Sequence, residues 1–405
     1  MKYAIILPDG AADEPVEKLG GRTPLEVAQT PNMDWVSSHG RQGCIRTVPE
    51  GFLPGSDVAT LSLLGYDPKT DYTGRAPLEA VARDIAVGPR EVVFRCNFVT
   101  IIDDVMVDFT AGHISQREAD ELITSLAGEL ADLGCRFHAG VSYRNLMVAP
   151  EAPDIDQPRR AGGPASPRCT PPHDIPDKLI GEYLPTGAGA NWVKNLMTRA
   201  EVILRDHDVN VVRRDLGENP ATHIWLWGQG RPRALEPFSK RFGLEGSVIA
   251  AVDLIRGIAK SIGMSLIDVP GATGYLDTDY AAKGAAATEA LDTVDLVVVH
   301  IEAPDEAGHL GDADAKVSAI ERVDEYVVGP VLKKLRSFDG WKILIAPDHP
   351  TPVERRTHTS TPPPFCIAGH MVHATRSLPF TEIHGRSGDL QIDPGHELME
   401  YFLRK

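Results

Sequence analysis

The sequence predicts an α/β protein built on a doubly wound, mostly parallel sheet, with a smaller α+β domain inserted into it. Three observations carry that expectation. The chain opens on the continuous apolar run "YAIIL", closed by Pro8, Asp9 and Gly10, as a strand covered on both faces would be. Its C-terminal part repeats this grammar, alternating strand-like runs with helical stretches, the signature of parallel strands joined by helices. Between about 80 and 240 the grammar changes to adjacent strands and a Pro-rich loop.

Taken in order, "VIAAVDLIRGIAKSIGM" carries apolar residues at helical spacing and ends at a glycine, and "SLIDV" is a short strand. The alanine-rich "DYAAKGAAATEAL" is helical, and "VDLVVVHIEAPD" is a strand running into a polar turn. A helix over about 314 to 336, the strand "WKILIA" and the short apolar run "PFCIAG" complete the series. In the middle, "VVFRCNFVTII" and "VMVDFTA" lie close together as in a hairpin, a helix follows at 115 to 133, and "APEAPDIDQPRRAGGPASPRCTPPHDIPD" is a loop. The expected division is residues 1–80 with 240–405 for the outer domain and 81–239 for the insertion. No internal repeat is evident.

A chain of 405 residues, 42% hydrophobic, holds more core than one domain needs. The formal net charge of -16, without a lysine or arginine cluster, argues against a nucleic acid or an acidic membrane as partner. A small molecule is the expected partner, and an anionic one needs local arginines, lysines or metal ions against that acidic background. The five cysteines match no Cys-x-x-Cys spacing and read as reduced thiols of a cytoplasmic protein. No signal-peptide pattern and no run of ~18 apolar residues occurs. The oligomeric state is not legible.

In an open α/β sheet the chemistry sits beyond the carboxyl ends of the strands. Four such places carry metal-ligand types: Asp9 after "YAIIL", Asp305 and His309 after "VDLVVVHIEAP", Asp348 and His349 after "WKILIAP", and His358 in the loop beyond. The four-residue spacing of Asp305 and His309 puts both on one side of a helical turn. Carboxylate with imidazole suits Mn²⁺ or Zn²⁺, and this many ligands point to two ions. Each residue has a plainer alternative: Asp9 as a helix cap, His309 as a helix-end residue, His358 as an exposed loop histidine. Their conjunction at separate strand ends favours the metal site.

The stretch "VPEGFLPGSDVATLSLLGYDP" sets Ser56 at the start of an apolar helical pattern. Ser56 is either an N-cap or a nucleophile that a helix N-terminus and a nearby metal activate. No phosphate-binding G-x-x-x-x-G-K-[ST] motif occurs, and no G-x-S-x-G elbow surrounds Ser56.

These residues, with "TGRAPLEA", "RCNFVT", "PPHDIPDK", "IWLWGQG", "VPGATGYLDTDYAAK", "HIEAPDEAGH", "PDHPTP" and "RTHTSTPPPF", resemble the archaeal-type, cofactor-independent phosphoglycerate mutases of the alkaline phosphatase superfamily. The resemblance runs nearly end to end. It implies a phosphatase-like domain with two divalent ions (Mn²⁺, Zn²⁺, Co²⁺ or Mg²⁺), a substrate-gripping insertion, and no need for 2,3-bisphosphoglycerate. By the resemblance Asp9, Ser56, Asp348 and His349 surround one ion, and Asp305, His309 and His358 the other. Ser56 takes the phosphoryl group of 3-phosphoglycerate and returns it to the 2-hydroxyl, while domain closure excludes water. Candidate partners for this small anionic phosphorylated substrate are Arg95, Arg144, His173 and Lys283, with Asp174 as proton shuttle. The plainer reading of each cation is a solvated ion pair. Two positions depart from the family pattern: His113 stands where an arginine is expected and Asn145 where a histidine is familiar. A homoserine kinase-like phosphotransferase, a metal-dependent phosphate or sulfate ester hydrolase, and a non-catalytic metal-binding protein are the alternatives.

Overall fold

The structure, a computed structural model, describes residues 1–150 and 167–404. Part of the Pro-rich stretch predicted as a loop lies outside these residues. The chain divides into two compact units, Met1–Tyr72 with Ala234–Lys405, and Thr73–Arg233. It enters the first with strands β1 (Lys2–Pro8) and β2 (Arg41–Ile45). The second holds β3 (Val92–Ile102), β4 (Val105–Asp108), β5 (Arg136–Val141), β6 (Arg144–Ala149) and β7 (His223–Gly230). Back in the first unit come β8 (Gly246–Ile249), β9 (Ser265–Leu266), β10 (Leu296–Ile301), β11 (Trp341–Ile345), β12 (Pro364–Gly369) and β13 (Leu390–Ile392).

The first unit's sheet runs β13-β2-β12-β11-β1-β10-β8-β9. Only β12 is antiparallel to its neighbours; every other pairing is parallel. β1 lies between β10 and β11, pairing Ile5 with Val298 on one side and with Leu344 on the other. Because all three strands are parallel, their carboxyl ends, carrying Asp9, Asp305 and Asp348, open at one edge of the sheet. One face packs Ala4, Ile6, Val297, Val299, Ile343 and Ile345 against Leu291, Ile320, Val327 and Leu335 from the covering helices. Burying each such Val, Leu or Ile is worth roughly 1.5–3 kcal/mol, enough to hold the strand ends as a rigid base.

The helix predicted over 314–336 is realised as Ala313–Val323 and Gly329–Leu335 joined by a π turn at Asp324–Val328. Asp324, buried there, accepts from the amides of Asn32 and Met33 at 3.1 and 2.6 Å and so closes the N-terminus of helix Pro31–Ser38. One expectation needs correction. Val248 and Ile249, read as the start of a helix, form the end of β8, and the helix begins only at Asp253. A short β-branched run buried beside β10 is an inner strand, and helical periodicity cannot tell the two apart.

In the second unit β3 is the axis of an antiparallel sheet. It pairs with β6 along one edge and β7 along the other, and with β4 in a hairpin whose register shifts between Thr100 and Ile101. Phe94, Cys96 and Phe98 of β3, with Trp225 of β7, pack on Leu122, Leu126, Val193 and Leu196 of two helices. The helix Arg75–Ala82, through which the expected boundary at 80 cuts, belongs to this unit, since Ala76 and Ala80 pack on Val93, Leu146 and Val148. All five cysteines are free thiols. Among the described residues no helix is long and apolar enough to cross a membrane.

Candidate active site

Gly10 starts the site. It takes φ 63°, and a Cβ there would stand 2.6 Å from Asp305 Oδ1, so only glycine lets the loop after β1 press against helix Ala303–Leu310. Its N–H donates to Asp348 Oδ1 at 3.2 Å, tying the ends of β1 and β11 together. Asp305 and His309 sit one turn apart on that helix, as their spacing predicts.

Ser56 is the first residue of helix Ser56–Leu63, and Gly55, not Ser56, holds the cap position. Its hydroxyl does not cap the helix. Instead Ser56 Oγ donates to Asp9 Oδ2 at 3.2 Å and lies 3.2 Å from His349 Nε2. His349 Nε2 in turn stands 3.5 Å from Asp9 Oδ1 and 3.4 Å from Asp348 Oδ2. Those two carboxylate oxygens are buried and have no hydrogen-bond partner. Orphaned carboxylate oxygens facing one imidazole nitrogen and a hydroxyl form a donor set that a divalent cation would satisfy.

The second group is Asp305, His309 and His358. His309 Nδ1 faces the Arg356 carbonyl at 3.1 Å and His358 Nδ1 faces the Pro54 carbonyl at 3.4 Å. A carbonyl only accepts, so each Nδ1 carries a hydrogen and each neutral ring leaves Nε2 bare. Those Nε2 atoms are 2.9 Å apart, and they approach Asp305 at 3.2 and 3.5 Å. Bare ring nitrogens beside a carboxylate again suit a cation. Ligand atoms lie within 4.8 Å of one another in three sets: Asp305, His309 and His358; Asp9, Asp305 and His349; and Asp9, His300 and Glu302.

Burial dominates the titration of these groups. It lifts the Asp9 carboxyl well above its usual range, with the charges of Asp348, Glu302 and Asp305 adding to it. It pulls His349 down to about 4 against the attraction of Asp348, and lifts Glu302 to about 8 with help from Asp305. For His309 burial acts downward too, but the hydrogen bond and charge of Asp305 outweigh it and push the ring up to about 9. In the cation-free protein a proton on His309 therefore takes the place of positive charge.

Sequence reasoning missed His300, Glu302 and Thr351. His300 Nε2 is 3.0 Å from Asp9 Oδ2, and Thr351 Oγ1 donates to Asp305 Oδ1. No residue-type signal marks such supporting groups, although "VVVHIE" and "PDHPTP" contain them. Lys283 lies buried beneath this region, its ammonium donating to the His300 carbonyl at 3.2 Å and its pKa drawn down to about 8 by burial.

Arg95, Arg144, His173 and Asp174 are in the second unit. Arg95 of β3 pairs across the sheet with Trp227 of β7, its guanidinium 4.5 Å from the indole centroid, and Glu79 approaches its Nε at 3.0 Å. Arg75 reaches the same indole at 5.8 Å and His173 meets it edge-on at 5.2 Å. Burial draws Arg95 down to about 10, Glu79 opposing and the charges of Arg75 and Arg144 assisting. Arg144 donates to the Tyr143 hydroxyl at 3.0 Å, and His173 and Asp174 approach each other at 3.9 Å. Asn145, where a histidine was expected, accepts from the Gly140 amide at 2.9 Å and serves the β5–β6 turn.

A family model described as 2,3-bisphosphoglycerate-independent phosphoglycerate mutase matches residues 37–210. The chain is 50% identical over 404 residues to a protein of that name from Methanothrix thermoacetophila, covering 100% of both. Its structure is similar to that of a Pyrococcus horikoshii protein, with TM-score 0.80 and 28% identity over 99% of this chain and 96% of that one. It is also similar to the cofactor-independent phosphoglycerate mutase of Thermoplasma acidophilum, with TM-score 0.62 and 27% identity over 100% and 99%. Full-length identity at this level shows that the chain belongs to the 2,3-bisphosphoglycerate-independent phosphoglycerate mutase family.

Proposed function

We propose that the protein interconverts 3-phosphoglycerate and 2-phosphoglycerate through a phosphorylated Ser56. The observation that carries this reading is the Ser56 hydroxyl, at a helix N-terminus yet not capping it, 3.2 Å from both Asp9 and His349. Asp9, Ser56, Asp348 and His349 would hold one cation, and Asp305, His309 and His358 another. Two divalent ions bound there supply the positive charge that lowers the cost of a serine alkoxide and of the anionic phosphoryl group.

Ser56 Oγ attacks the phosphorus, its proton passing toward Asp9 Oδ2, and the bond from phosphorus to the glycerate oxygen breaks. The amides of the first turn of helix Ser56–Leu63, apart from that of Val58, which donates to Asp57 Oδ1 at 3.0 Å, are proposed to receive phosphoryl oxygens. The glycerate oxygen takes a proton, for which Asp174 is the proposed source, and the reverse step delivers the phosphoryl group to the 2-hydroxyl. The first unit is the proposed metal-binding catalytic domain and the second the proposed substrate-binding domain. Arg95, Arg144 and His173 are proposed to hold the substrate's anionic groups, and Arg75 and Trp227 join them on the strength of their packing with Arg95. Lys283, being buried, is proposed to act through the His300 carbonyl. Free thiols and the activity fit the cytoplasm.

The test is a parallel assay of Mn²⁺-loaded protein with 3-phosphoglycerate and with homoserine plus ATP. 2-Phosphoglycerate formation without added 2,3-bisphosphoglycerate supports the mutase. Phosphohomoserine as the sole product, or inorganic phosphate released without isomerisation, refutes it.

A further inference from the structure

Thr351 is fully buried on the loop after β11, two residues beyond His349. Several contacts hold it there. Its N–H donates to the Ala12 carbonyl at 3.2 Å, and its carbonyl accepts from the buried Lys316 ammonium at 2.8 Å. Gly308, one turn into helix Ala303–Leu310, leaves room for it, since a Cβ at that position would collide with the Thr351 carbonyl. In this position the Thr351 hydroxyl donates to Asp305 Oδ1 and lies 3.3 Å from His349 Nδ1.

A hydroxyl has one hydrogen to give, and an ionised carboxylate can only accept it. With that hydrogen committed to Asp305, Oγ1 offers His349 nothing but a lone pair, which favours the ring hydrogen on Nδ1, and the Ser56 hydroxyl, 3.2 Å from both Asp9 Oδ2 and His349 Nε2, can turn its own hydrogen to Nε2. The opposite nitrogen, Nε2, is then bare in the neutral ring. It is Nε2 that faces Ser56 Oγ and the orphaned oxygens Asp9 Oδ1 and Asp348 Oδ2. Were the hydroxyl removed, the other tautomer would gain: an Nε2–H could donate to those carboxylate oxygens and would stand where a cation should bind.

The geometry points to Thr351 as a positioning residue that holds His349 in its metal-ligating tautomer through the chain His349 Nδ1–H to Thr351 Oγ1–H to Asp305 Oδ1. The inference rests on the two ligand sets proposed above. It adds that one hydroxyl joins them, since Asp305 belongs to one set and His349 to the other. Supporting groups of this kind commonly change metal affinity by ~10–100-fold when removed.

The test uses cation-free protein labelled with ¹⁵N-histidine, with the His349 ring signals assigned by their loss in His349→Asn. The wild type is expected to show Nδ1 protonated and Nε2 bare; a wild-type His349 protonated on Nε2 alone overturns the inference without any variant. Thr351→Val, which keeps the shape and removes the hydroxyl, is expected to switch the tautomer and weaken Mn²⁺ binding by ~10–100-fold in calorimetric titration. Thr351→Ser is expected to restore both. Equal loss in the Val and Ser variants would show that packing alone is at work and would also overturn the inference. None of these readouts uses phosphoglycerate, so a failure of the mutase reading leaves them intact and distinguishable.

Discussion

At Asp305 two imidazoles bring their Nε2 atoms to within 2.9 Å of each other, an approach that two neutral rings with their hydrogens on Nδ1 tolerate only around a shared positive charge. In the cation-free protein that charge is the proton on His309, held up to about 9 despite burial by its contact with Asp305. A cation must displace it. Below pH 9 binding therefore releases a proton, and apparent affinity at this set rises as pH rises, by about tenfold per unit, flattening above about 9. Stability of the cation-free protein moves the other way: with the folded value above the ordinary 6.5, the contribution is complete below 6.5 and lost as pH climbs through about 9. Calorimetry in buffers of different ionisation enthalpy checks the first statement, and affinity that is independent of pH between 7 and 9 would contradict it. Residues of this kind were legible in the sequence because Asp and His are costly at the ends of buried strands and so stand out. His300 was not, because a histidine inside an apolar strand is compatible with ordinary packing, and Thr351 was not, because a threonine between two prolines reads as an ordinary loop residue.

Among elements, the loops after β1 and β11 are joined by a buried ion pair. Lys316, on helix Ala313–Val323, contacts Asp13 Oδ2 at 2.6 Å with neither side chain exposed, and its ammonium also donates to the carbonyls of Ala12 and Thr351. Glu382 closes the cluster, accepting from the Asp13 amide at 2.9 Å and the Thr23 hydroxyl at 2.6 Å. Lys316→Met leaves two carboxylates buried without a counter-charge, and the expected cost is ~3–5 kcal/mol in denaturant unfolding, with weakened Mn²⁺ binding. Unchanged stability would mean that the pair does not hold the loops. The strands carrying these loops were readable as long β-branched runs. β8 was not, because its few buried residues directly precede a strongly amphipathic helix and share its apolar character. β5 also escaped detection, since its residues are all exposed or half-buried and follow no regular alternation.

For the whole molecule, four carboxylates, Asp9, Glu302, Asp305 and Asp348, are gathered in one region of a chain that already carries a net charge of -16. Cations that bind only the folded state stabilise it by mass action, by about 2.7 kcal/mol per site at a concentration of 100 Kd. The melting temperature should accordingly rise with Mn²⁺ concentration, and a chelator should lower it and abolish turnover reversibly. Identical melting and turnover in excess chelator would exclude the metal reading. A change of grammar in the middle of the chain was legible in the sequence. Its edges were not, because helix Arg75–Ala82 has the same apolar face whichever unit it covers, and only packing on Val93 and Leu146 decides the matter.

Ser56 is proposed to carry the phosphoryl group between the two hydroxyls of glycerate. The most direct test is rapid quenching of Mn²⁺-loaded protein with 3-phosphoglycerate labelled in the phosphoryl group, followed by peptide mapping of wild type and Ser56→Ala. Label is expected on the Ser56 peptide and in 2-phosphoglycerate for the wild type, and on neither for the variant. Undiminished 2-phosphoglycerate formation by Ser56→Ala would contradict it.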